Sequence, residues 1–310
     1  MHRNLELIVS PEHTDGLISE LNGLDGVLTV AVHRGHSVKP PGDVIVAEVL
    51  NHETDGVLRA VLDGGARRAL SISTASVDSL VVPEEQAAVR ADVDEVVWEE
   101  AETAMRRHTR PNANFALTTA AGGVIAGAGL TASSGVTEAT ALVAAAIIAP
   151  VFEPLVRLGL AAVNRRARLV LNSVGMALLS YLILIAGAVA TMLVLRAAGD
   201  GYVDEFLRSP TVHDLQYPPT ASLIISAAGA IAGIVMVSAG RFTQLAGPLV
   251  ALQLIPAAAA IGDALELGHG GIAARSLGRL AIDVGMVLVA AGAVFTYKHF
   301  TAHGRRRLAA

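Results

Sequence analysis

Pro150 and Pro154 stand four residues apart in an apolar run, Ile147-Ile148-Ala149-Pro150-Val151-Phe152-Glu153-Pro154, with Arg157 one helical turn beyond Glu153. Each proline lacks an N–H and crowds the turn before it, so the pair predicts a broken helix. In a bilayer, backbone groups freed by a break persist only where they line a cavity or bind something. Glu153 adds an anionic oxygen for a cation or a proton. Arg157 falls on the same helix face and can pair with it; the structural alternative is an ion pair near the cytoplasmic end, with Arg157 snorkelling. A second segment, Ala251-Leu252-Gln253-Leu254-Ile255-Pro256, predicts a second break beside a polar side chain, and Asp263 follows two turns later. Asn172 and Gln253 are uncharged polar candidates, with hydrogen bonding between helices as their alternative role. The expected solute or ion path is therefore Pro150, Glu153, Pro154, Arg157, Asn172, Gln253, Pro256 and Asp263. Asp263 and Glu266 stand near an outer helix end, where an interfacial position is the preferred reading and a functional site the other. Asp283 is expected to pair with Arg279 one turn away.

Other chemistry is poorly served. The chain has no cysteine, which removes disulfides, thiolate metal sites and thiol nucleophiles. Its histidines (His2, His13, His33, His36, His52, His108, His213, His269, His299 and His303) are scattered without metal-ligand spacing. There is no H-E-x-x-H, no G-x-S-x-G and no Walker loop. No enzyme, cofactor or metal is expected. A net charge of −5 argues against a nucleic-acid partner.

The elements that must position these residues are apolar. Hydrophobic residues make up 53% of the 310 and charged residues 16%, and the charges crowd into the first 110 positions. Two solvents are implied. A span needs about 20 mostly apolar residues. Six stretches qualify: Ala113–Ala132, Ala139–Val163, Leu169–Leu195, Thr220–Ala239, Leu245–Leu267 and Ile272–Tyr297. Arg106, Arg107 and Arg110, then Arg165, Arg166 and Arg168, then Arg241, and finally Arg305, Arg306 and Arg307 fall on one side if both termini are cytoplasmic. The acidic loop Gly199–Pro219 then lies outside, and Arg275 and Arg279 are exceptions near the outer end of the last span. The first nine residues hold too short an apolar run for a signal peptide. The Ala, Gly and Arg bias suits a high-GC bacterial genome, hence a bacterial cytoplasmic membrane.

Residues 1–82 read as a separate soluble domain. Leu5, Leu7 and Val9 alternate as a strand. Pro11 opens a helix with Leu17, Ile18 and Leu21 on one face. Strands follow over Val27–Val32 and Val44–Leu50, across a turn at Lys39–Asp43. A second helix over Thr54–Gly65 turns Val57, Leu58, Val61 and Leu62 inward, and Leu70–Val82 is the last strand. That order is the ferredoxin-like split βαβ unit. Residues 83–110 are expected as a connecting helix, 111–304 as the transmembrane domain and 305–310 as a basic cytoplasmic tail.

A shift of 106 residues lays the membrane half over itself. Ile125-Ala126-Gly127 meets Ile231-Ala232-Gly233, Pro150 meets Pro256, and Arg157 meets Asp263. Three spans per copy put the second copy upside down. The result is a 3+3 inverted repeat, over about 113–195 and 220–297, of the kind that builds many transporters.

The Ala149-Pro150…Pro154 helix, the Leu254-Ile255-Pro256 helix and the small-residue first and fourth spans resemble the bacterial and archaeal membrane family called domain of unknown function 389. The likeness is good over roughly residues 113–240 and looser beyond. Glu153 stands where the family usually has glycine, and Pro256-Ala257 where it often has paired prolines. The resemblance implies a membrane fold and little chemistry. The resulting expectation is a transporter or channel for a small solute or ion, forming a homo-oligomer in the bilayer, with the soluble domain for assembly or regulation. The alternative is a membrane-anchored sensor or scaffold whose soluble domain binds a ligand or partner.

Overall fold

The computed structural model describes residues 2–63, 69–77, 82–83, 111–199, 201–239 and 246–298. The connecting helix expected over 83–110 and the tail over 305–310 lie outside them, apart from position 83. The chain divides into two compact units, residues 1–99 and 100–310.

The first unit runs β1 (His2–Val9), α1 (Pro11–Asn22), β2 (Val27–Val38), β3 (Pro41–Val49), a 3-10 turn (Asn51–Glu53), α2 (Thr54–Asp63) and β4 (Ala69–Val77). The sheet order is β2-β3-β1-β4 with every neighbouring pair antiparallel, which is the split βαβ arrangement. Alternation places Leu5, Leu7, Val9, Ile45, Ala47 and Val49 on one face, where Leu17, Leu21, Val57 and Val61 cover them. Leu62 does not join this core and is 65% exposed. It follows Leu58, itself only partly buried, down the outer edge of the α2 stripe. β2 runs on to Val38, so the expected five-residue turn shrinks to Lys39-Pro40.

One carboxylate ties this unit together. Asp43 Oδ2 accepts a hydrogen bond from Thr14 Oγ1 of α1, and Oδ1 accepts one from Gly35 N of β2, each at 2.7 Å. Gly35 sits where the β2–β3 register breaks between His33 and Ser37, at a φ of +66° that glycine adopts without strain.

The second unit is helical: α3 (Ala113–Leu130), α4 (Gly135–Ile148), α5 (Glu153–Val163), α6 (Ala167–Ala198), α7 (Gly201–Arg208), α8 (Pro210–Gln216), α9 (Thr220–Ser238), α10 (Ala246–Glu266) and α11 (Gly270–Lys298). Among the described residues α3, α6, α9 and α11 are long and apolar enough to cross a membrane, and α4 with α5 makes a fifth span if the bent pair counts as one. The expected span Leu245–Leu267 corresponds to α10, in which every residue from Leu254 to Ala264 is buried. A helix apolar all round and covered on all sides is a bundle centre. The loop expected over Gly199–Pro219 contains α7 and α8, held down by Phe206, Val212 and Leu215, all buried.

Glycines fix how the helices meet. A Cβ on Gly123 would strike the Leu184 carbonyl oxygen, and one on Gly187 would strike that of Ala120, so α3 and α6 touch backbone to backbone. The contacts also give directions. Gly123 meets Leu184 and Gly127 meets Ala188, so α3 and α6 run parallel. Gly122 meets Ala149 and Gly129 meets Ala141, so α4 runs against α3. Gly262 lies on Ile185 and Ala188, and Glu266 bonds Arg196, so α10 runs with α6. Ser226 pairs with Arg279, and the Ser238 carbonyl with Lys298, so α9 runs with α11.

The Gly35 N–H, then the Thr14 hydroxyl, holds the Asp43 carboxyl below the usual carboxylate range. A depressed pKa contributes stability that is present above the unfolded value and is lost as pH falls through the folded one. Asp43→Asn is therefore expected to lower stability at neutral pH and to flatten its decline below about pH 4. Thermal unfolding of the first unit followed by circular dichroism across that range checks both parts.

Candidate functional site

The break predicted from Pro150 and Pro154 is present. α4 ends at Ile148, α5 starts at Glu153, and the two are bent by 49°. Ala149 takes an extended conformation (φ −87°, ψ 116°), as a residue before proline prefers. Pro154 falls in the first turn of α5, where its missing N–H costs nothing. Glu153 at the first position of α5 suits the positive end of the helix dipole. Arg157 is buried on α5, and α5 packs between α6 and α11.

The second expected break is absent. α10 continues through Pro256 without interruption. One internal proline removes one hydrogen bond, and the neighbours α3, α4, α6, α9 and α11 hold the helix on both sides of it. Two prolines at helix spacing interrupt a span; one, followed by four alanines and enclosed by other helices, does not. The two halves therefore do not present matched breaks. Gln253 donates from Nε2 to the Ile225 carbonyl of α9 at 3.1 Å, which is the interhelix role. Asn172 lies on an exposed face of α6.

Asp263 is not interfacial. It is fully buried, and among the described residues neither carboxylate oxygen has a hydrogen-bond partner. Its surroundings are made of small residues. A Cβ on Gly127 would lie 3.0 Å from Asp263 Oδ1 and 3.2 Å from Ala188 Cα, and one on Gly262 would lie 2.6 Å from the Ile185 carbonyl. Glycines at 127 and 262 thus let α3, α6 and α10 converge on one carboxylate. One turn on, Glu266 accepts from Arg196 Nη1 of α6 at 3.1 Å, while its Oε2 is buried with no hydrogen-bond partner among the described residues.

α3 links this carboxylate to the break. Ala149 lies against Gly122 and Asp263 against Gly127. Five helical residues separate those contacts, about 7.5 Å along the axis. Four residues further along α3, Thr131 enters the wall of a hollow of about 500 Å³. Ser133, Ser134, Thr137, Tyr202 and Glu205 also line it, making it a hydroxyl-rich vestibule.

A second buried polar group lies between α9 and α11. Arg279 Nε donates to Asp283 Oδ2 at 2.8 Å, as expected, and Nη2 donates to Ser226 Oγ at 2.6 Å. Tyr181 of α6, its hydroxyl buried without a hydrogen-bond partner among the described residues, is within electrostatic reach of Asp283. The two arginines that broke the charge pattern are thereby explained, since Arg275 stacks 4.5 Å over the Tyr217 ring. Sequence reasoning missed Arg196, Ser226 and Tyr181, whose partners lie on other helices. It also missed Glu138, which accepts from Ser209 Oγ at 3.1 Å.

Residues 146–289 match the family model described as "Domain of unknown function (DUF389)", in agreement with the resemblance carried by the proline-bearing helices. The match starts in α4 and leaves α3 outside. No curated protein and no solved structure matches the chain.

Removing one member of a buried ion pair strands the other charge. Asp283→Ala is expected to destabilise the helical unit by about 3–5 kcal/mol, and the double change Arg279→Met with Asp283→Leu by much less. Denaturation of the purified protein in mild detergent measures the difference.

Proposed function

We propose, with the DUF389 match over the membrane helices as premise, that this protein moves a small solute or ion across a bilayer. The observation that carries the reading is the broken span α4–α5 next to a buried carboxylate, Asp263, with no hydrogen-bond partner among the described residues. Neither feature helps a purely structural bundle. A break exposes backbone groups that a bilayer cannot satisfy, and a buried charge is costly unless it has work to do. The soluble unit serves assembly or regulation.

The proposal extends to six spans in a 3+3 inverted repeat within a homo-oligomer of the bacterial cytoplasmic membrane. Helix direction supports the repeat. α3 runs with α6 and against α4, α9 runs with α11, and α10 runs with α6 and turns back into α11 within a few residues. Two sets of alternating spans in opposite senses give that pattern. In this reading the functional difference between the copies lies at the prolines, with an open break in one and a continuous, enclosed helix in the other. A sensor or scaffold role is the second reading. It is favoured by the soluble unit, which has a hydrophobic core of its own.

Reconstituted protein is expected to carry one class among ions, carboxylates, amino acids and polyols into liposomes. Folded protein that passes none of them, yet binds a ligand tightly at the soluble unit, establishes the sensor instead. Orientation has its own check, since the chain contains no native cysteine. Asp214→Cys on α8 is expected to react with an impermeant thiol reagent in intact cells, and Ala167→Cys at the start of α6 is not. The opposite pattern overturns both the topology and the inverted repeat.

A further inference from the structure

We infer that Asp263 is a proton-binding site, reached from the hydroxyl-lined vestibule at the ends of α3 and α6. The inference rests on the membrane reading above and names the ion that reading would use; its test does not depend on flux.

Three observations converge. Asp263 is fully buried with both oxygens lacking hydrogen-bond partners among the described residues. An anion in that position is stabilised by a partner charge, by hydrogen bonds or by a bound cation. Among the described residues no hydrogen bond reaches either oxygen, and the Gly127 backbone that abuts Oδ1 brings no charge. The hollow is near at hand: Gly127, which abuts Asp263, is four residues before Thr131 in the vestibule wall.

The charged groups on the surrounding helices are otherwise engaged. α3 and α9 carry none. On α6, Arg168 is exposed near the opposite end of the helix and Arg196 holds Glu266. Glu138 of α4 holds Ser209. On α8, His213 lies against the Tyr217 ring and Asp214 is exposed. On α11, Arg275 covers Tyr217, Arg279 and Asp283 hold each other, and Lys298 holds the Ser238 carbonyl. Glu266, one turn on along α10, is of the same sign as Asp263. A proton suits the place better than a metal cation. It needs one oxygen, whereas sodium needs a shell of several, and the helices around Asp263 spend their carbonyls on their own hydrogen bonds. Binding forms an O–H bond on Asp263 and breaks one on a hydrated proton, releasing water.

The test is infrared difference spectroscopy on the full-length protein in lipid, stepping between about pH 6 and pH 9, where ordinary carboxylates stay ionised. A carboxylic-acid carbonyl band is expected at the lower pH. It is expected to shift on carbon-13 labelling of aspartate and not of glutamate, to vanish in Asp263→Asn and to survive in Glu266→Gln. If Asp263→Asn does not fold, survival of the aspartate band in Asp283→Asn keeps the assignment. No band, a band that persists in Asp263→Asn, or a band lost in Glu266→Gln or Asp283→Asn overturns it. A band that disappears when sodium replaces choline also overturns it, in favour of a metal-cation site. Liposomes that show no flux leave this result standing, so the two readings fail separately.

Discussion

A charge placed where water does not reach has to be answered locally, and the helical unit answers its charges in three ways. Arg279 and Asp283 face each other across one turn of α11, with Ser226 of α9 taking a further donor. Glu266 reaches outward to Arg196 of α6, whose side chain is 56% exposed. Asp263, a turn below Glu266, has neither arrangement. These three solutions set which helices must touch. α9 has to meet α11 to complete the first, and α6 has to meet α10 to complete the second. The glycines at 123, 127, 187 and 262 then permit the distances that α3, α6 and α10 require. Packing and electrostatics are one constraint here, because a larger residue at Gly127 would press on the carboxylate itself.

The prolines show how context decides a local rule. Pro150 and Pro154 interrupt their span because the second falls in the first turn of a new helix, where proline is accommodated, and the residue before the first turns extended. Pro256 obeys the same chemistry at one position only. The segment after it, Ala257 to Ala260, has the best helix-forming residue four times over, and five neighbouring helices enclose it. The lost hydrogen bond is local; the packing that keeps α10 continuous is distributed.

Much of this architecture was legible in the sequence. Strand alternation at Leu5, Leu7 and Val9, and helical spacing at Leu17 and Leu21, are local signals, and the sheet follows from them. The long apolar runs are equally local, as is the pairing of Arg279 with Asp283 one turn apart. What was not legible depends on which helix lies against which. Asp263 and Glu266 near a helix end read as interfacial because their neighbours in sequence say nothing of Gly127 or Arg196 on other helices. Asn172 has the composition of a buried hydrogen-bonding residue, yet helix rotation puts it outside. Leu62 fails for the same reason on a smaller scale, since a stripe has edges and the sequence does not mark them.

The proposed 106-residue repeat pairs Arg157 with Asp263. Both side chains are buried, on the middle segment of their respective triplets of helices, and they are opposite in sign. Under the proposed inverted repeat, equivalent positions of the two copies approach from opposite membrane faces. The break is also confined to one copy. A symmetric pair of open helices would offer the same backbone to both sides at once, while a broken helix beside an enclosed one offers its freed groups from a single segment. Divergence at Glu153 and Pro154 on one side, and at Ala257 to Ala260 on the other, is where the sequence departs from its own repeat.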